Sequence, residues 1–160
     1  MLTIKKAGLK DYQTVIDIMN ESATEEELRG FVPPEGVSPK FLEQLKREIS
    51  RLDNGVVVAE KEGYPMGFAF YRLVKDSLEI EEIDVRKEFQ GQGIGRALIR
   101  HVEDVAKERG SKRLVTGTSM NREGKPWKAY SFWIHIGFTD TRKKIDGPHG
   151  LKYTGLVKQL

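Results

Sequence analysis

Apolar and polar residues change period along this chain in a regular way. Leu2-Thr3-Ile4-Lys5 alternates and predicts a first strand. Val15, Ile16, Ile18 and Met19 follow at helical spacing, with Asp11 as the expected N-cap. Glu25-Glu26-Glu27 and Phe31 to Gly36 read as an irregular connection. Ser38-Pro39 then opens a second helix, serine as cap and proline first, with the stripe Phe41, Leu42, Leu45, Ile49 and Leu52. Asp53-Asn54-Gly55 turns into Val56-Val57-Val58-Ala59, an apolar run suited to a buried strand. Lys61-Glu62-Gly63 predicts a hairpin turn, and Met66 to Leu73 returns beside the run.

Leu78 to Val85 alternates apolar with acidic residues and predicts another strand, yet its parity breaks. Leu78 and Ile80 share one face, whereas Ile83 and Val85 fall on the other, so one residue too many sits at Glu81-Glu82. An inserted residue is a β-bulge, which bends a strand. Ile94, Ala97, Leu98, Val102, Val105 and Ala106 then recur at helical spacing until Gly110. Arg113 to Thr118 reads as a strand, Asn121 to Pro126 as a polar loop, and Trp127 to Ile136 as a short helix ending at Gly137. Phe138 to Thr141 and Tyr153 to Val157 are the expected closing strands, joined by a long loop over Lys143 to Gly150. Three hairpin strands followed by strand–helix–strand predict a mixed, mostly antiparallel sheet with helices on both faces.

Between the acidic strand and the long helix stands Gln90-Gly91-Gln92-Gly93-Ile94-Gly95-Arg96. The first N–H groups of a helix have no partner within it, and the dipole favours negative charge there. Glycines let a diphosphate approach such amides, and Arg96 adds a cation. A dinucleotide fingerprint needs G-x-G-x-x-G after the first strand of a βαβ unit, and the spacing here is different and late. A Walker loop needs G-x-x-x-x-G-K-[ST], which is absent.

Composition narrows the classes. At 160 residues the chain is expected to be one domain over 1–160, able to bury roughly 70% of its unfolded surface. A net charge of +3 with no long Lys/Arg block gives no reason to expect nucleic acid. Without cysteine there is neither a disulfide framework nor a thiol nucleophile. No apolar run reaches membrane length, so a cytoplasmic protein, monomer or homodimer, with no membrane partner is expected. His101, His135 and His149 are scattered, so no metal is expected.

Gln90-x-x-Gly93-x-Gly95 resembles the Q/R-x-x-G-x-G/A signature of the GNAT acyltransferase superfamily, and Ala129 to Phe138 resembles its A-x-x-x-Y-x-x-x-G-F segment. The resemblance spans residues 78 to 138. It implies an acetyl-CoA-dependent N-acetyltransferase with a splayed, bulged central strand opening a slot for the pantetheine arm. It further implies cofactor contacts from Ile83, Asp84, Val85, Gln90, Gly91, Gln92, Gly93, Ile94, Gly95 and Arg96, with the Val85 N–H facing the thioester carbonyl. Asn121 resembles the loop asparagine that contacts the CoA arm, and Trp133 is expected in the core or at the cofactor wall. Acyl transfer to a lysine-like amine of pKa near 10.4 needs a base. Glu79 and Glu81 stand where the family often places one and share a face by parity; two such like charges would tune one another. The family's acid is a tyrosine four residues before Gly-Phe; here Trp133 takes that place, and the nearby Tyr130 is expected either to replace the acid or only to pack. The acceptor implied is a primary amine: a protein N-terminus, lysine, polyamine or small amine. A CoA-binding sensor or interaction module without chemistry is the alternative.

Overall fold

A computed structural model describes residues 1–22, 39–120, 128–146 and 152–160. Seven strands form one sheet: β1 (Leu2–Lys6), β2 (Val56–Lys61), β3 (Tyr64–Val74), β4 (Ser77–Val85), β5 (Arg113–Ser119), β6 (Thr139–Asp146) and β7 (Lys152–Gln159). Their spatial order is β1-β2-β3-β4-β5-β7-β6. Four helices accompany them: α1 (Tyr12–Ser22), α2 (Pro39–Ile49), α3 (Ile94–Glu108) and α4 (Lys128–His135). Pairing of β4 with β5 is parallel, while β1 with β2, β2 with β3, β5 with β7 and β6 with β7 are antiparallel. The mixed, mostly antiparallel sheet predicted from the sequence is the architecture found. By contacts the chain groups into two compact units, Met1–Tyr71 with Glu82–Val102, and Arg72–Glu81 with Glu103–Leu160.

In the first unit the alternation of β2 and β3 decides the packing. Val56, Val58, Phe68 and Phe70 point to one face and join Val15 and Ile18 of α1 and Leu45 and Ile49 of α2 in a single core. Each side chain fully buried there contributes about 1.5–3 kcal/mol. Val57, Ala59 and Ala69 on the opposite face are as deeply buried, as is the α3 stripe Ile94, Leu98, Ile99 and Val102. Glu62 and Gly63, both at positive φ, make the two-residue hairpin between Lys61 and Tyr64.

The turn before β2 is more than a turn. Asn54 is buried, donating to the carbonyls of Ala7 at 3.0 Å and Arg51 at 2.9 Å, while its oxygen accepts from the Val56 N–H at 3.0 Å. Beside it, a Cβ on Gly55 would stand 1.9 Å from the Tyr71 carbonyl oxygen, so only glycine fits.

Three local expectations are corrected. Asp11 does not cap α1: it ends a 3-10 turn over Leu9–Asp11, and its carboxylate accepts from the Gly8 N–H at 2.9 Å. Leu52 is 97% exposed, because α2 ends at Ile49 and the chain turns before the next helical contact. The expected loop after Thr141 is strand as far as Asp146, with a register shift between Asp140 and Lys144 that absorbs Arg142 at φ 59°. The loop 24–37, Ser38, Asn121, Trp127 and His149 lie outside the described residues.

In the second unit β4 pairs with β5 only from Ser77 to Glu79. One residue later the Thr116 hydroxyl donates to the Ile80 carbonyl at 3.0 Å, a side chain taking over where the ladder stops. The extra residue in β4 shows in the register. Met66 is eight residues before Val74, whereas its partner Arg86, whose N–H donates to Met66 at 2.8 Å, is nine beyond Ser77 across the turn. The strand is therefore bulged, as its broken alternation predicts, and its ladder to β5 ends at Glu79.

Candidate functional site

The glycine-rich segment leaves β4 through a 3-10 turn at Lys87–Phe89 and enters α3 at Ile94. Gly91 and Gly93 take φ of 75° and 84°, a region that L side chains rarely adopt. A Cβ at either would meet no heavy atom within 4 Å. Conformation, not crowding, therefore requires glycine, and the side above them is open. Gly95 sits one residue inside α3. The Ala97 N–H is the first to close the helix, donating to the Gly93 carbonyl at 3.0 Å. The N–H groups of Gly93, Ile94, Gly95 and Arg96 therefore belong to the open end of the helix. Arg96 is exposed there, and Ile94 is buried as the first core anchor.

Two glutamines set the shape of this loop. Gln90 donates its side-chain amide to the Val85 carbonyl at 3.0 Å, and Gln92 donates to the Glu88 carbonyl at 3.0 Å. Gln90 thus ties the loop to the end of β4, where Ile83, Asp84 and Val85 are half-buried. A Cβ on Gly67 of β3 would stand 2.7 Å from the Asp84 carbonyl oxygen, so glycine lets the two backbones approach. These residues fit the diphosphate of a CoA-type ligand: donors at a helix N-terminus, positive-φ glycines, an exposed arginine and open space.

In the other unit Glu79 and Glu81 do share one face, and Arg72 of β3 engages both. Its Nε donates to the Glu81 carboxylate and its Nη2 to Glu79 at 3.4 Å. The pair is therefore not the bare like-charge dyad expected from the sequence, because a guanidinium cancels one of the two charges. Arg72 was missed by sequence reasoning although its signal was present. With Lys75 and Asp76 forming a two-residue turn, Arg72 falls opposite Glu79. Glu79 also borders a groove of about 660 Å³, whose lining includes Val115, Tyr153 and Val157 as well as the charged Arg113, Lys143 and Asp146.

Tyr130 donates its hydroxyl to Asp140 at 3.1 Å. Desolvation first, then that hydrogen bond, raises its pKa above the ordinary tyrosine value and keeps the phenol protonated. Asp140 accepts also from the Thr154 hydroxyl at 2.6 Å and the Arg142 N–H at 2.7 Å. Chiefly through Thr154, its carboxyl is held below the ordinary aspartate value. Trp133 is 4% exposed, set edge-to-face against Phe132 and Phe138 at 5.2 and 4.9 Å between ring centres. Its indole is thus packed among aromatic rings.

A family model for the acetyltransferase (GNAT) family matches residues 15–130. An uncharacterised N-acetyltransferase from Methanocaldococcus jannaschii is 30% identical over 99 residues, which are 58% of this chain and 42% of that protein. The chain thus spans less than half of that relative's length. A spermidine N(1)-acetyltransferase from Thermoplasma acidophilum is 22% identical over 117 residues, 68% of this chain and 73% of that protein. The crystal structure of the PaiA N-acetyltransferase from the same organism, in complex with coenzyme A, covers 100% of this chain and 99% of its own at a TM-score of 0.73. Its identity of 19% makes that a likeness of fold. The glycine-rich helix entry and the bulged strand beside it lie inside the matched segment, and the chain belongs to the GNAT family of acetyltransferases. The acyl donor of this family is acetyl-CoA.

Proposed function

We propose that the protein moves an acetyl group from acetyl-CoA directly to a primary amine. The observation that carries this reading is the open N-terminus of α3, with Gly91 and Gly93 at positive φ and Gln90 tied to Val85. The amides of Gly93 to Arg96, with Gly91 and Gln92 shaping the approach, would hold the diphosphate, and Ile83, Asp84 and Val85 would offer backbone to the pantetheine arm. When bound, acetyl-CoA supplies the activated acyl group. The chain's own task is proton removal. An amine of pKa near 10.4 is almost wholly charged at pH 7, and its neutral fraction is lower by three to four decades. A Glu81 carboxylate oxygen, with Glu79 beside it, takes that proton. The apolar residues lining the Glu79 groove, Val115, Tyr153 and Val157, would seat the carbon chain of the acceptor.

The thiol of CoA is a fair leaving group, so no strong acid is required, and Tyr130 would be the phenol that returns a proton to it. Protein N-termini, lysines, polyamines and small amines all fit this chemistry. The relatives named for spermidine and as an N-acetyltransferase agree with an amine acceptor. We infer a cytoplasmic location for the enzyme. No helix among the described residues is long and apolar enough to cross a membrane. Release of CoA thiol from acetyl-CoA in the presence of an amine panel tests the reading. Turnover with at least one amine is expected; a protein that binds no CoA overturns it.

A second reading draws on Trp133 and Tyr130. Neither offers a free acid, as the first is packed between phenylalanines and the second is bonded to Asp140. A CoA-binding module without chemistry would then bind CoA in the same assay and release no thiol.

A further inference from the structure

The carboxylates of Glu79 and Glu81 come with their own counter-ion. Arg72 is 46% exposed, Glu79 38% and Glu81 23%. An ion pair this open to water contributes little to stability, so its geometry calls for another explanation. The two contacts follow from strand register: Arg72 lies across from Glu79, and Glu81 is its diagonal neighbour on the same face. A guanidinium reaches two carboxylates at once through its fixed fork of donors, which an ammonium cannot do. Two other cations of this unit have partners of their own, and Arg113 and Lys143 line the groove beside Glu79. Arg113 donates to the Ser77 hydroxyl at 2.8 Å and lies 3.5 Å from Asp76, and Lys152 pairs with Asp146.

We propose that Arg72 sets acceptor charge specificity: by cancelling one carboxylate of the Glu79–Glu81 pair, it favours an acceptor with one ammonium over a di- or polycation. The inference rests on the amine-acceptor reading. With Arg72 in place, the cluster of Arg72, Glu79 and Glu81 carries one net negative charge. A first ammonium satisfies it, and a second ammonium nearby meets the guanidinium instead of a carboxylate. Two like charges a few ångströms apart in a half-hydrated site alter affinity by about 3–10-fold. Arg72 acts through the glutamates and is a positioning and specificity residue.

The test uses butylamine and 1,4-diaminobutane, equal in carbon chain and different in charge. Their binding to the CoA-loaded protein is measured by calorimetry for the parent, Arg72→Gln and Arg72→Lys. Arg72→Gln should raise the affinity for the diamine relative to the monoamine by about 3–10-fold. Arg72→Lys, which restores the charge but not the fork, should return the ratio toward that of the parent. A ratio unchanged in Arg72→Gln overturns the proposal, as does a lysine variant that behaves like the glutamine one. Amines that bind neither form overturn it too. Thiol release is followed separately: a shifted binding ratio without turnover in any form supports the charge rule and removes the catalytic reading.

Discussion

The side-chain amide of Gln90 donates to the carbonyl of Val85 at 3.0 Å, so the last residue of β4 and the first of the glycine-rich segment are held as one piece. Strand end and helix entry are the two backbone surfaces a CoA molecule would need at once, and this single bond sets their spacing. Gln90→Leu removes it from an exposed position. CoA affinity should fall by about fivefold, the worth of one hydrogen bond of roughly 1 kcal/mol, with the melting temperature almost unmoved. Calorimetric titration with CoA checks this; equal affinity in the variant would show that the loop holds its shape without the tie.

Glu81→Gln should leave CoA affinity intact and lower the acetylation rate by about two to four decades at neutral pH, the usual worth of a general base. An amide keeps the shape but has no basic oxygen. The rate should recover as pH rises toward the amine's own pKa, because solution then supplies the neutral nucleophile. A pH–rate profile that overlays the parent's would remove Glu81 from the mechanism.

Asp140 gives a stability prediction with a sign. Its pKa is lowered in the folded state, first by the Thr154 hydroxyl, so its contribution is present above the ordinary aspartate value of about 3.9 and is lost as pH falls through the folded value. Asp140→Asn should be less stable than the parent at pH 7, and the gap should close in acid. Tyr130 works in the opposite direction: its raised pKa makes its contribution full below about pH 10 and lost as the phenol ionises. Urea unfolding at a series of pH values measures both limbs, and a gap independent of pH would refute the linkage.

Asn54→Ala strips a buried amide that serves Ala7, Arg51 and Val56 together. Leaving such groups without partners should cost about 2–4 kcal/mol, read from the denaturation midpoint with the slope unchanged. A loss below about 0.5 kcal/mol, the range of ordinary surface changes, would mean that water replaces the side chain.

What the sequence revealed was whatever is written in neighbouring residues. The alternation of Val56–Ala59 and Met66–Leu73, the helical stripe from Ile94 to Ala106, and the parity break at Glu81-Glu82 are local patterns, and each corresponds to an observed element. The glycine motif was legible for the same reason, since Gly91 and Gly93 act through their own φ angles. Side-chain partners were not legible, because register and tertiary packing choose them. Arg72 reads as an ordinary strand arginine until the hairpin sets it against Glu79 and Glu81. The partner of Tyr130 is unreadable until β6 brings Asp140 to its hydroxyl. Asn54 reads as a turn residue until Ala7 and Arg51 converge on it.

The strand order carries a consequence for aggregation. β7 follows β6 in sequence but lies between β5 and β6, pairing Arg113–Ser119 along its whole length on one side and β6 on the other. Without β7, β5 and β6 would each expose a row of unpaired amides and carbonyls, the kind of edge that templates association with another chain. Residues 152–159 close both edges in one step, so freeing that one strand would open this half of the sheet to aggregation on two fronts.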